Sequence, residues 1–88
     1  MEGGNDLRLD KYLKVSRIIK RRSVANEACN QGRVTVNDKI AKPSAKVEIG
    51  DILAIKFGDR INRYEILHLS EHALKKDAQD MYRELLGE

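Results

Sequence analysis

Residues 8–22, RLDKYLKVSRIIKRR, decide the fold and the surface character of this chain. Seven of these fifteen residues are basic and only Asp10 is acidic. Five of the cations recur at a spacing of three, namely Arg8, Lys11, Lys14, Arg17 and Lys20. Leu9, Leu13 and Ile19 lie between them, so the segment can pack an apolar side on a core while it presents a row of positive charge. Such a row suits a polyanion.

The same segment predicts two helices. The first begins near Leu9 and ends within residues 18–22, because the three consecutive cations at 20–22 repel one another. Ser23 is expected to cap the second helix. The inward residues of that helix are Val24, Ala25, Ala28 and Cys29. Gly32 is expected to end this helix by adopting the left-handed backbone conformation.

Short strands follow the second helix. Residues 33–36 alternate in polarity and fold back through the Asn37-Asp38 turn to residues 39–41. After the Gly50-Asp51 turn comes a further strand whose shared face carries Leu53, Ile55 and Phe57. Residues 60–69 are the next strand, and the slip in their alternation predicts a bulge.

Residues 71–86 carry the pattern of an amphipathic helix, and Ser70 is a candidate cap. Its apolar residues follow at spacings of four, three and four: Leu74, Ala78, Met81 and Leu85. The predicted fold class is α+β, with two N-terminal helices on a short, bent, mostly antiparallel sheet and a C-terminal helix. Residues 1–7 are then a flexible arm, 8–70 the domain and 71–88 the C-terminal helix.

Composition limits the function classes. The 88 residues are 41% hydrophobic and 35% charged, with a net charge of +3, which suits one small folded domain. Residues 8–46 hold eleven Lys or Arg against three acids, whereas residues 47–70 sum to −1 and 71–88 to −2. This asymmetry favours a nucleic-acid binder. No apolar run is long enough for a membrane span or a signal peptide, so we expect a cytoplasmic protein.

The residue inventory argues against catalysis. No phosphate-cradling glycine loop is present. His68 and His72 are four apart, but no cysteine or carboxylate cluster completes a metal shell. Cys29 is expected to be a small core residue, and Asp10 and Glu27 to orient neighbouring cations. We therefore expect no enzyme activity, no metal and no cofactor.

Binding explains more of these residues. The cations just before the second helix lie where free backbone N–H groups and the helix dipole favour phosphate, and arginine can also clamp phosphate or stack on a base. Residues of the following hairpin extend the footprint. The predicted RNA-binding set is Arg8, Lys11, Arg17, Lys20, Arg21, Arg22, Arg33, Asn37, Lys39 and Lys42.

Several short motifs in order resemble the S-four RNA-binding domain: Arg8-Leu9-Asp10-Lys11-Tyr12-Leu13, Ser16-Arg17, Lys20-Arg21-Arg22-Ser23, Gly32-Arg33-Val34-Thr35-Val36-Asn37 and Gly50-Asp51. The resemblance covers roughly residues 8–56. It implies two helices packed on a small bent sheet, with RNA against the basic helical face and the adjoining loop.

Within that family the stand-alone size, the residue 14–22 segment, Phe57-Gly58 and Met81-Tyr82 resemble the bacterial RqcP (YabO) proteins. The resemblance implies binding to large-subunit rRNA and to peptidyl-tRNA, and assistance to RqcH in tailing stalled nascent chains. The residues it carries over are Arg8, Lys11, Arg17, Arg21, Arg22 and Arg33. A monomer without a membrane partner is expected.

Three alternatives stay open. The heat-shock S-four protein also binds large subunits that retain a nascent chain, but it normally has a longer, basic C-terminal extension. A helix-turn-helix DNA-binding protein would use residues 23–31 as recognition helix, with Asn26, Glu27, Asn30 and Gln31 outward. A module on anionic lipid would be weak, since the basic segment lacks Trp and Phe.

Overall fold

A computed structural model of the chain describes residues 7–85. The helices are α1 Leu9–Val15, α2 Arg22–Asn30 and α3 Lys75–Ala78. The strands are β1 Val34–Val36, β2 Lys39–Ile40, β3 Ile52–Phe57, β4 Arg60–Ile66 and β5 Tyr82–Leu85. A 3-10 turn, Gln79–Met81, joins α3 to β5. The predicted α+β class with two N-terminal helices is confirmed.

The five strands form one sheet in the order β2-β1-β3-β4-β5, and every pair is antiparallel. The β1–β2 turn is tight because Asn37 and Asp38 both have positive φ, 52° and 71°, which is typical of a type I′ hairpin. Val34 pairs with Ile55, and Val36 with Leu53. These pairs place the apolar side chains of adjacent strands on one face.

The core lies between that face and the first two helices. Leu9, Tyr12 and Leu13 of α1 are fully buried, at the spacing of three and one that gives a short helix a single apolar side. The sheet contributes four fully or almost fully buried side chains, Val34, Leu53, Ile55 and Ile66. Helices therefore cover one face of the sheet, and the other face is left to solvent.

The helix ends differ in part from those predicted. α1 ends at Val15, and Arg17 then adopts a left-handed backbone with φ 66°. α2 begins at Arg22 behind Arg21, with no side-chain cap, so the prediction that Ser23 caps it is wrong. Gly32 does end α2, with φ 75°. The N–H groups of Gly32 and Arg33 donate to the carbonyls of Cys29 and Ala28, both at 3.0 Å, which is the Schellman pattern.

The predicted helix over residues 71–86 is wrong in extent. Only Lys75–Ala78 is α-helical, and residues 82–85 pair with β4 instead. Leu74, counted as an inward residue, is 66% exposed. Tertiary pairing overrides the helical spacing, because the free edge of β4 offers a full set of backbone partners. The Tyr82 ring also packs edge-on against Tyr64, with centroids 5.3 Å apart.

Two smaller predictions are also corrected. β4 pairs with β3 in continuous register and ends at Ile66, so the expected bulge is absent there. The alternation of apolar and polar residues slips after Ile66 because the chain leaves the strand there. The next N–H, that of Leu67, donates to the Met81 carbonyl at 2.8 Å. Leu7, assigned to the arm, is buried in the core, and the rest of the predicted arm lies outside the described residues.

Tyr12 joins α1 to the C-terminal segment. Its hydroxyl donates to the Met81 carbonyl at 2.7 Å, and burial, followed by the nearby Tyr82, raises the pKa of Tyr12. The hydroxyl therefore keeps its proton as a donor. The Met81 carbonyl also accepts from the N–H groups of Leu67 and His68, so three segments meet at this one atom.

Candidate nucleic-acid interface

Asp10 organises the basic face of the helices. It lies in the first turn of α1, and its side chain is only 3% exposed. Arg8 donates to it twice, from Nε at 3.2 Å and from Nη2 at 3.1 Å. Arg22 Nη2 donates at 3.3 Å from the first residue of α2. We call Arg8 and Arg22 the anchored pair.

The charge state of Asp10 follows from these contacts. Burial acts to raise the pKa of Asp10, but hydrogen bonds from Arg8, Asn26 and Arg22, together with the Arg22 charge, outweigh it and lower the pKa. The carboxylate is therefore ionised near neutral pH. The two guanidinium side chains remain 45% and 47% exposed, so each is held by a buried acid and still faces solvent.

Asn26 extends this network along α2. Its amide donates to Asp10 Oδ2 at 3.3 Å, and Asn30 Nδ2 donates to Asn26 Oδ1 at 3.0 Å. Asn26 and Asn30 also line a groove of about 480 Å³ together with Arg8 and Lys42. An Asn26 amide held by Asp10 is a poor base reader, which weighs against the helix-turn-helix alternative. Sequence reasoning left both asparagines out of the RNA-binding set.

A second group of cations has no such anchor. Lys14 lies in the last turn of α1, and Arg17 and Lys20 follow the helix. All three are exposed and line a groove of about 630 Å³. Within residues 7–85 none of the three has a carboxylate partner. We call them the free row. Arg21 is likewise exposed and stands at the N-terminus of α2, whose first turn contains no acid.

Two predicted contact residues are engaged within the protein. Lys11 Nζ forms an ion pair with Glu71 Oε1 at 3.2 Å. Asn37 donates from Nδ2 to Asp51 at 3.1 Å and accepts from the Ile52 N–H at 3.0 Å. Both ends of the Asn37 amide therefore hold the β1–β2 turn against the start of β3. RNA contact by Lys11 and Asn37 stays a prediction.

The remaining predicted cations lie further away. Lys39 on β2 and Lys42 after it are exposed. Arg33 lines a separate groove of about 270 Å³ with Lys56 and Arg63, on the solvent face of the sheet. Sequence reasoning missed Lys56 and Arg63, although their alternation with Ile55 and Tyr64 places them on the face opposite the core. The predicted set is thus divided between the two faces of the sheet.

The structure gives Cys29 an ordinary packing role. It is 3% exposed on α2, and burial, followed by the Asp10 charge, raises the pKa of its thiol to about 11. A neutral buried thiol is a poor nucleophile. Among residues 7–85 no three His, Cys, Asp or Glu side chains gather as a metal site would require. No helix in that range is long and apolar enough to cross a bilayer.

Comparison with known proteins begins with the family. The S4 domain, the family called S-four above, matches residues 7–53. That range contains α1, α2, the β1–β2 hairpin and the first residues of β3. It therefore includes both the anchored pair and the free row. The matched range stops before most of β3 and before β4, α3 and β5.

Full-length similarity extends further. A Listeria innocua protein named RQC P-site tRNA stabilizing factor is 53% identical over 76 residues, 86% of this chain and 83% of that protein. The Bacillus subtilis protein of the same name is 43% identical over 86 residues, 93% of this chain and 100% of its own length. The structure described as trimeric heat shock protein 15 of Vibrio cholerae superposes with a TM-score of 0.82 at 36% identity, over 90% of this chain and 81% of that one.

Proposed function

The chain belongs to the S4 domain family and, within it, to the RQC P-site tRNA stabilizing factors, and on that premise we propose that it binds the large ribosomal subunit. Its contacts would be to rRNA and to the tRNA that carries a stalled nascent chain. It would hold that tRNA in the P site, as the name of its relatives states for them. This action belongs to ribosome-associated quality control in the cytoplasm, and it supports C-terminal tailing by RqcH.

One observation carries the proposal. Within the matched S4 range, Arg8 and Arg22 converge on buried Asp10 and still expose about half of each side chain. Guanidinium groups fixed in this way can contact phosphate oxygens bidentately without first losing much side-chain freedom. Asp10 is used as a positioning carboxylate, since its oxygens accept hydrogen bonds from Arg8, Arg22 and the Asn26 amide.

The mechanism is binding without bond-making. Phosphate contacts fix the position of the protein on the RNA, and the shape of folded RNA supplies selectivity. A monomer with one basic helical face would join two RNA molecules, subunit rRNA and tRNA, and so slow the departure of the tRNA. Such an adaptor needs no catalytic group.

Recycling of large subunits, the function of the heat-shock S4 alternative, is the competing hypothesis. The superposition on heat shock protein 15 supports a common fold. However, the relatives that match 86% and 93% of this chain at 53% and 43% identity carry the tRNA-stabilising name. Dependence of binding on tRNA separates the two functions, because a stabilising factor should bind more tightly when the P-site tRNA is present.

Co-sedimentation with purified large subunits, with and without peptidyl-tRNA, tests the proposal. We expect peptidyl-tRNA to strengthen binding and Arg22→Ala to weaken it about tenfold, the effect of losing roughly 1.4 kcal/mol. Lys76→Ala is the matched control, since Lys76 is exposed and lines none of the described grooves. If about five phosphates are contacted, log affinity should fall against log salt with a slope of roughly −3.5 to −4.5.

Other results would point elsewhere. Binding that is indifferent to peptidyl-tRNA would replace tRNA stabilisation by a general subunit-binding role. A flat salt response, or equal losses in Arg22→Ala and Lys76→Ala, would remove the anchored pair from the interface. Preference for duplex DNA over rRNA in direct competition would restore the helix-turn-helix alternative.

A further inference from the structure

The largest of the grooves described above is built by two distant parts of the chain. One wall is the end of α1 and the loop after it, and the other is the segment from Glu71 to Tyr82. The groove holds about 630 Å³, within the range of 300–1,000 Å³ typical of small-molecule sites. The second wall lies outside residues 7–53, the part that matches the S4 domain.

The walls are held together by two contacts. Tyr12 donates from its hydroxyl to the Met81 carbonyl at 2.7 Å, and Lys11 pairs with Glu71 at 3.2 Å. The turn that leads into this wall is ordered as well, since the His72 N–H donates to Ser70 Oγ at 3.2 Å. The groove is therefore present before any ligand arrives, which lowers the cost of binding.

The lining of the groove is cationic. The free row contributes three positive charges, and Lys75 of α3 adds a fourth from the opposite wall. Within residues 7–85, Lys75 has no carboxylate partner. Glu71 is the one acid among the lining residues, and Lys11 already neutralises it. The unpaired charge that remains selects an anion such as phosphate.

The groove also has an apolar and aromatic part. Its lining includes two buried apolar residues, Val15 and Ala78, and the half-buried Tyr82. The Tyr82 ring meets Tyr64 at an interplanar angle of 85°, so its orientation is fixed from below. Proteins that read unpaired RNA combine cations for the backbone with an aromatic face for the base. A base within a duplex is stacked on both sides and cannot enter such a groove.

We infer that this groove binds an unpaired nucleotide of RNA, with its phosphate between the free row and Lys75 and its base against Tyr82. The inference rests on the proposed function, because it takes RNA as the ligand of the basic face. It adds a site for a flipped-out or single-stranded nucleotide to the phosphate contacts of the anchored pair. The C-terminal segment then has a binding role of its own.

Fluorescence anisotropy with a single-stranded RNA pentamer tests the site, with a blunt-ended, fully paired RNA duplex and free AMP as comparison probes. We expect the pentamer to bind more tightly than AMP. Tyr82→Leu should weaken pentamer binding about 5- to 150-fold, the range that corresponds to about 1–3 kcal/mol per stacked base. Tyr82→Phe, which keeps the ring, should restore most of the affinity, and Lys75→Ala should weaken it severalfold.

Controls keep the test decisive. Lys76→Ala removes a neighbouring exposed charge outside the groove and should leave pentamer affinity unchanged. If Tyr82→Leu does not fold, Lys75→Ala remains informative, since its side chain is exposed. Upfield shifts of the Tyr82 ring protons on adding pentamer would support base stacking directly.

Three results would overturn the inference. The first is unchanged pentamer affinity in both Lys75→Ala and the Tyr82 variant. The second is binding of AMP as tight as that of the pentamer, which would make this a free-nucleotide site. The third is equal affinity for the fully paired duplex. With any of these three results, Arg22-dependent binding to large subunits would still support the proposed function. Conversely, pentamer binding without binding to large subunits would reject the proposed function and leave the groove inference standing.

Discussion

The anchored pair and the free row carry the same sign of charge but reach solvent in different ways. Arg8 and Arg22 are tied to buried Asp10, whose side chain is 3% exposed. Lys14, Arg17 and Lys20 have no carboxylate partner among the described residues. The first group is held by an internal acid before RNA binds, and the second has no such internal anchor among the described residues.

This difference has an energetic meaning. Ordering a long cationic side chain on binding costs about 0.5–1.5 kcal/mol, and the anchored pair has already lost much of that freedom on folding. We therefore expect geometry-dependent recognition from the pair and mainly charge from the row. Experiments that remove the anchor, weaken its support or exchange its cations should separate the two groups.

Removal of the anchor should have the largest effect. Asp10→Asn leaves two guanidinium groups without their carboxylate and is expected to lower the free energy of unfolding by about 1–3 kcal/mol. The value lies below the 3–5 kcal/mol typical of a fully buried pair, because Arg8 and Arg22 can turn toward water. Urea unfolding measures it. Asp59→Asn makes the same change at an exposed turn residue and should be nearly neutral; equal stability of the two variants would contradict the anchoring role.

Loss of the hydrogen bond that holds the two walls of the groove together should lower the free energy of unfolding by less than the loss of Asp10. Tyr12→Phe deletes the hydrogen bond from α1 to the Met81 carbonyl and is expected to reduce stability by about 0.5–1.5 kcal/mol. The lower half of that range is expected, since Leu67 and His68 still donate to that carbonyl. Thermal unfolding provides the readout. Tyr82→Phe is the matched control, because no hydrogen bond from the Tyr82 hydroxyl is present within residues 7–85.

Exchange of cation type sharpens the comparison. Arg22→Lys keeps the charge but loses the planar donor fork, so its affinity for large subunits should fall about three- to tenfold. Lys20→Arg in the free row should change it by no more than about twofold, since position 20 supplies charge without a fixed geometry. Sedimentation at one fixed salt concentration compares them. Equal effects at both positions would mean that anchoring adds nothing to recognition.

Acid pH gives the smallest expected effect. The pKa of Asp10 lies below its ordinary value of 3.8 in the folded protein, so its stabilising contribution is complete above that value. The contribution is lost as the pH falls from 3.8 through the lower, folded pKa. The stability difference between the wild type and Asp10→Asn should therefore be constant at neutral pH and shrink below 3.8. A difference that grows in acid would contradict this assignment.

Local pattern predicted most of the first half of the fold, apart from the end of α1 and the cap of α2. The apolar residues at 9 and 13, the Gly32 stop and the Asn37-Asp38 turn each act through neighbours in sequence, and the structure confirms them. The C-terminal segment was mispredicted because its spacing also fits a helix. Its actual state depends on β4, a partner that is distant along the chain. The spacing of apolar residues along the sequence does not show whether that pairing forms.

The candidate site divides in the same way. The basic residues before α2 were identifiable from composition, and so was Asp10 as a carboxylate that orients cations. The meeting of Arg8, Arg22 and Asn26 on Asp10 required the packing of α1 on α2. Likewise, Lys75 and Tyr82 reach the groove only through the docking of residues 71–82. Long-range placement was the missing information in both cases.

The hydrogen bond between Tyr12 and Met81 spans 69 residues of sequence, and this has a consequence for biosynthesis. The first helix of the S4 region is completed by residues translated long after it. Closure over such a distance is slow compared with local helix formation. While its own synthesis is under way, the chain therefore exposes the side of α1 that later contacts Met81, and this contact can form only after residue 81 has emerged from the ribosome.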